Sequence, residues 1–174
     1  MFPAGYLLIS ILLGTVNVNA DVISKQQLRN SYYAAVKDSD KTERLYSILS
    51  ASDDNSPLKK AYIGGLTALK AKHDFNPIAK LRYLSDAERI MQAAISESPN
   101  DIEIRFLRFS YQYHVPRFLG FSDNLQEDKE VIVEQILSGN YGESDRDLVK
   151  NVIDFLLRSK ECSNEEASEL NKFN

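Results

Sequence analysis

Two adjacent glycines, Gly64 and Gly65, sit in the middle of a stretch whose apolar and small residues otherwise recur at helical spacing. Each glycine costs a helix about 1 kcal/mol against alanine, so a helix that keeps two in succession has to recover the loss through packing. With Ala61 and Ala68 they form a narrow face on which a second helix can approach closely. Ser56 offers a side-chain oxygen to the free amides at the start of this helix, and Pro57 is tolerated in its first turn. Residues 73–77, His-Asp-Phe-Asn-Pro, break the pattern. Residues 56–108 therefore predict a pair of stacked helices, the first over 57–72 and the second from near Pro77 or after a small adjustment around Leu84-Ser85, followed by the start of a third.

The rest of the chain reads in the same period. Leu28, Tyr32 and Val36 recur every four residues in a helix over 22–37, and Leu45, Ile48 and Leu49 share one side of a helix over 41–49. Asp38-Ser39-Asp40 is the turn between them and the cap of the second, and residues 51–55 form a loop. In the second helix of the central pair, Ala87, Ile90, Met91, Ala94 and Ile95 face inward until residues 99–101 end it. A run over 102–113 places Ile104, Leu107 and Tyr111 together. Val131, Ile132, Ile136 and Leu137 mark the next helix, on which Glu127-Asp128-Lys129-Glu130 reads as a solvated face. Leu148, Val152, Ile153, Phe155 and Leu156 stripe another. Ser163 with Glu166 three residues on forms a capping box for a short terminal helix. Strand-like alternation never competes, so the expected fold is all-α, built of irregular stacked helical hairpins.

At 174 residues, 43% of them hydrophobic, the chain is long enough for one domain with its own core and needs no disulfide staples. Its single cysteine, Cys162, has no intramolecular partner. A formal charge of −4 lacks the basic footprint of a nucleic-acid binder, so none is expected. Residues 1–20 carry no charge, have an apolar centre over 6–13 and end Val18-Asn19-Ala20. That is the pattern of a secretory signal cleaved after Ala20, although the usual positive start is missing. The apolar run is shorter than the ~20 residues of a membrane span. The expectation is a periplasmic or secreted protein with one helical domain over 21–174 and no stable membrane span after cleavage. Anchoring in the inner membrane through an uncleaved segment is the alternative.

Ala87, Met91, Ala94 and Pro99 have the spacing of the second helix and terminal proline of a tetratricopeptide repeat, and Asn100, Asp101 and Glu103 resemble the boundary into a following repeat. Arg105, Arg108, Phe109 and Gln112 stand where that motif prefers an aromatic, Leu, Gly and Tyr. Residues 57–113 thus resemble the family as one degenerate unit, which implies helix pairs stacked into a continuous core. Over most of the mature length, landmarks such as Pro57-Leu58-Lys59-Lys60-Ala61-Tyr62, Phe75-Asn76-Pro77 and Pro116-Arg117-Phe118-Leu119-Gly120 resemble small exported helical proteins of Bacteroidetes-type bacteria. That resemblance carries no activity to transfer.

Chemistry is sparse. His73 and His114 are far apart and neither belongs to a metal-ligand repeat; no phosphate loop or dinucleotide fingerprint is present. No catalytic residue, metal or cofactor is expected. Arg105 and Arg108 lie three residues apart on one helix, and His114 and Arg117 follow across a proline-containing linker. Folded back, the four would make an anion or peptide-carboxylate site, since a guanidinium donates two parallel hydrogen bonds. Alternatively the arginines pair with Glu103 or Asp101 and tie the turn to the scaffold. A second polar margin comprises Lys70, Lys72, His73, Asn76 and Lys80, read either as a cap with solvated lysines or as a partner contact. Tyr32, Tyr33 and Tyr62 are expected in the core or at a groove rim. The function these readings point to is an exported interaction or scaffold module that engages a protein or peptide without catalysis. The alternative is a small-ligand carrier with an arginine-lined anion pocket.

Overall fold

A computed structural model describes residues 24–173, and every regular element among them is helical. The segment over 1–20 read as an export signal lies outside the described residues. The helices are α1 (Lys25–Ala35), α2 (Ser39–Ala51), α3 (Pro57–His73), α4 (Pro77–Glu97), α5 (Ile102–His114), α6 (Leu125–Leu137), α7 (Arg146–Ser159) and α8 (Asn164–Leu170), with 3-10 turns at Arg117–Leu119 and Asn171–Phe173. None of these helices is long and apolar enough to cross a membrane.

The starts of the helices follow from local chemistry. Ser24 and Ser163 each form a reciprocal capping box, with Gln27 and Glu166. Asp38, Ser56, Asn76, Asp101 and Asp145 accept from backbone amides of the first turns of α2, α3, α4, α5 and α7. These side chains satisfy amides that have no partner within the helix. Pro57 and Pro77 occupy first-turn positions, so α4 begins at the proline itself and runs unbroken to Glu97.

The most extensive packing is between α3 and α4, the hairpin that carries the glycine pair. The two glycines serve different neighbours. A Cβ on Gly64 would lie 3.0 Å from Met91 Cγ and 3.4 Å from the Met91 backbone nitrogen on α4, whereas one on Gly65 would lie 2.6 Å from the Tyr32 hydroxyl on α1. The helix is therefore gripped on two sides. Helix α5 packs on both α3 and α4, as the next helix in a stacked repeat would, and on α6 and α7 beyond them.

Two apolar clusters result. One gathers side chains of α1–α4 with Ile104, Leu107 and Tyr111 of α5. The other gathers α6, α7 and α8 with Ile102, Phe106 and Phe109 of the same helix. Ten of the 13 residues of α5 are buried, so it is the shared wall between two cores. Ile48 and Leu137, expected inside, are exposed. Their places are taken by Thr42, whose hydroxyl bonds to the Ala35 and Asp38 carbonyls, and by Val133.

Replacing Gly64 with valine puts branched carbons against Met91 and the α4 backbone. Overpacking of this kind costs about 1–3 kcal/mol, and a urea titration of Gly64→Val should show that loss as an earlier midpoint with an unchanged slope.

Candidate functional site

Of the four residues expected to make an anion site, two are sealed into the interior. Arg105 and Arg108 project from successive turns of α5 onto one carboxylate, Asp128 of α6. Arg108 Nε and Nη2 donate to its two oxygens at 2.7 and 2.8 Å, and Arg105 Nη1 donates to Oδ1 at 2.8 Å. Arg105 also reaches the Pro99 carbonyl and Glu127, while Arg108 reaches Gln92 of α4. The side chains of Arg108 and Asp128 are fully buried. The expected pairing with Glu103 or Asp101 is thereby corrected, because α6 folds back along α5 and brings its own acids. The acidic run over 127–130 is corrected with it: Asp128 and Lys129 are 0% and 4% exposed, with Lys129 bonded to Glu166 of α8 at 2.7 Å.

Burial opposes the Arg108 charge, but the Asp128 hydrogen bonds and field outweigh it and raise its pKa. Burial likewise pushes the Asp128 carboxyl above the ordinary range, against the pull of both guanidinium groups. With two cations on its oxygens, the carboxylate is the form that fits. The other two candidates lie elsewhere. Arg117 is exposed and pairs with Glu161 at 2.6 Å, and His114 is exposed with Nδ1 2.7 Å from the Ser110 carbonyl oxygen.

A second buried tie crosses the molecule. Arg29 of α1 donates from Nε and Nη2 to the two oxygens of Glu103 of α5, both at 2.8 Å, and from Nη1 to Asp145, the cap of α7. Tyr62 of α3 donates to the same Glu103 at 2.6 Å. Four elements meet in one network of one guanidinium, two carboxylates and a phenol.

That network lines a cleft of about 1070 Å³. Its walls come from α1, α3, α4, α5, the linker after α5, and α7. Leu69, Leu84, Phe106, Leu107 and Phe155 make it apolar. Tyr32, Tyr33 and Tyr62 line it as well, with Tyr32 edge-on to Tyr62 at 5.4 Å between ring centres. The Tyr32 ring is buried, yet its hydroxyl has no hydrogen-bond partner among the described residues.

The ionisable groups of the cleft are mostly cations. Glu103 is the one carboxylate and is satisfied by Arg29; Lys37, Lys72, Lys80 and Arg158 are further cations, and His114 and four tyrosines also line it. Lys72 Nζ donates to the Val36 carbonyl, whereas Lys37, Lys80 and Arg158 have no partner among the described residues. Of the second polar margin, Lys80 and Lys72 thus belong to the cleft. Lys70 is engaged by Glu43 at 2.8 Å and lies over the Tyr46 ring, and Asn76 caps α4. Sequence reasoning missed the cleft because its walls come from six separate parts of the chain, although the three tyrosines and Lys80 were visible as candidates.

No group of residues suited to hold a metal ion occurs among the described residues. His73 and His114 each face a backbone carbonyl. Burial raises the Cys162 thiol pKa, the reverse of what a reactive thiolate needs. Comparison of the chain with protein-family models, with curated proteins and with solved structures finds no match.

Removing the carboxylate from the central pair leaves two buried guanidinium groups without it. Asp128→Asn should cost about 3–5 kcal/mol, while Arg117→Ala, at an exposed pair, should change stability by ~0–1 kcal/mol; urea unfolding of both variants checks the contrast.

Acid should weaken the second tie. The Arg29 guanidinium and the Leu148 amide hold the Asp145 carboxyl below the ordinary range, and Arg105 does the same for Glu127. Carboxyls depressed in the folded state stabilise it above their unfolded values of about 4, and that contribution is lost as pH falls through the folded values. Thermal unfolding followed downward from neutral pH should show a falling midpoint below about pH 4, with a shallower fall in Asp145→Asn.

Proposed function

We propose that this protein is an exported helical module that works by binding, without covalent chemistry, and that the cleft is its binding face. The observation that carries this reading is the combination of apolar walls with Lys37, Lys80 and Arg158 left without partners around them. A bound chain with an apolar body and an acidic end would bury the first and neutralise the second. In a protein-interaction module that chain is an apolar, acid-bearing segment of a partner, in keeping with the tetratricopeptide-like arrangement of α3, α4 and α5. The resemblance to small exported proteins of Bacteroidetes-type bacteria is in keeping with a periplasmic or secreted setting.

One feature favours the second reading, a carrier of a small anionic ligand. The cleft is walled by helices, whose backbone groups are consumed internally, so it offers no row of main-chain donors and acceptors to an extended peptide. It offers apolar surface, a free Tyr32 hydroxyl and a few cations, the recognition set of an amphiphile.

The test is a titration with the fluorescent apolar anion 1-anilinonaphthalene-8-sulfonate. Saturable one-to-one binding is expected, weakened roughly tenfold, the equivalent of about 1.4 kcal/mol, in Arg158→Glu and in Lys80→Glu. Competition by dodecanoate would favour the carrier, and competition by an apolar peptide ending in a carboxylate would favour the interaction module. Weak, unsaturable fluorescence that is identical in the two variants would sink the cleft as a binding face.

A further inference from the structure

We propose that the mouth of the cleft docks on an anionic lipid surface, so that the chain the cleft receives is an acyl chain bearing a negative head group. This inference rests on the cleft being the binding face. Its own observation is the placement of the large exposed apolar side chains. Phe75 is 100% exposed at the turn between α3 and α4, and Ile78 is 78% exposed in the first turn of α4. Phe118 is 87% exposed in the turn after α5. A single exposed apolar residue needs no explanation, but these stand on the two turns that also form the cleft wall. Pro77 and Leu81 line it beside Phe75 and Ile78, and Pro116 and Leu119 line it on either side of Phe118.

The charge at these turns has the matching sign. Lys80, without a partner among the described residues, follows Ile78 on α4, and exposed Arg82 comes a half-turn later. Lys37 and Arg158 line the same cleft, while the chain as a whole is acidic. Aromatic side chains that enter the interfacial layer, flanked by cations that meet anionic head groups, are the two components of peripheral membrane binding. The unpartnered cations beside these side chains, on a chain that is acidic as a whole, give the pair of turns the charge that an anionic lipid surface complements. Seated in this way, the cleft faces the bilayer, and an acyl chain passes from lipid to the apolar walls without crossing water.

Vesicle sedimentation tests the docking, with the full chain used throughout so that its apolar N-terminal segment is common to every sample. Phosphatidylcholine vesicles containing phosphatidylglycerol should retain the protein, and pure phosphatidylcholine vesicles should retain it weakly. Phe75→Ser/Phe118→Ser should lose roughly tenfold or more in retention, with an unchanged unfolding midpoint because both rings are in solvent. The same variant should still bind soluble dodecanoate, since the cleft walls are untouched. Equal retention of wild type and double variant, or equal retention on neutral and anionic vesicles, overturns the docking while leaving the cleft reading intact. Loss of dodecanoate binding in wild type, with vesicle retention preserved, would instead overturn the cleft as the source of the interaction. Vesicles that ignore the wild type, together with an envelope protein captured by wild type and lost in the double variant, would assign the two turns to a protein partner.

Discussion

The fold depends on how one helix can be buried on almost every side while carrying two arginines. Helix α5 is the wall shared by two apolar clusters, and only its exposed end near Tyr113 and His114 reaches solvent. A helix in that position has no polar face to turn outward, so each charge on it must find its counter-charge inside. Asp128 supplies one, Glu103 meets Arg29, and Glu88 accepts from Tyr111 and Gln112. Each contact also fixes the position of a neighbouring helix: α6 through Asp128, α1 through Arg29, and α4 through Glu88 and Gln92. Directional bonds thus set the placement of elements that apolar contact alone would hold less specifically.

The local rules were legible because they are short-range. Caps at Asp38, Ser56, Asn76 and Ser163, the breaks at residues 73–77 and 99–101, and the inward stripe of α4 all depend on residues a few positions apart, and the structure keeps them. What could not be read was the burial of charge. A run of Glu-Asp-Lys-Glu looks solvated until another helix presents two arginines to it, and nothing near residue 128 announces a partner twenty positions earlier. The same holds for Arg29, whose partners lie 74 and 116 residues away. Register at helix edges failed for a related reason: Thr42 is buried and Ile48 is not, and the Thr42 hydroxyl bonds to the Ala35 carbonyl at the end of α1 and to the Asp38 carbonyl at the start of α2.

The cleft is a consequence of this arrangement. Helix α7 is held to α1 by the Asp145–Arg29 contact at one end, while Phe155 packs edge-on against Phe106 and Phe109 of α5. Between them the α1–α4 hairpins stand off from α7 across the width of α5. Gly65 lets the Tyr32 ring settle against α3, which sets the depth of the floor; a side chain there would lift the ring into the space. The missing Cβ therefore shapes a surface on which the glycine itself does not appear.

The order in which a ribosome makes the chain gives the central arginines a history. Arg105 and Arg108 emerge some twenty residues before Asp128, and the α1–α5 portion made by then already contains nearly all of the first apolar cluster. Until α6 follows, the side of α5 that it covers is open to water, and the two guanidinium groups there are hydrated, with Glu88 and Gln92 of α4 near Arg108. Docking α6 takes both groups out of water in one step, so that step carries a large desolvation cost unless Asp128 arrives with it.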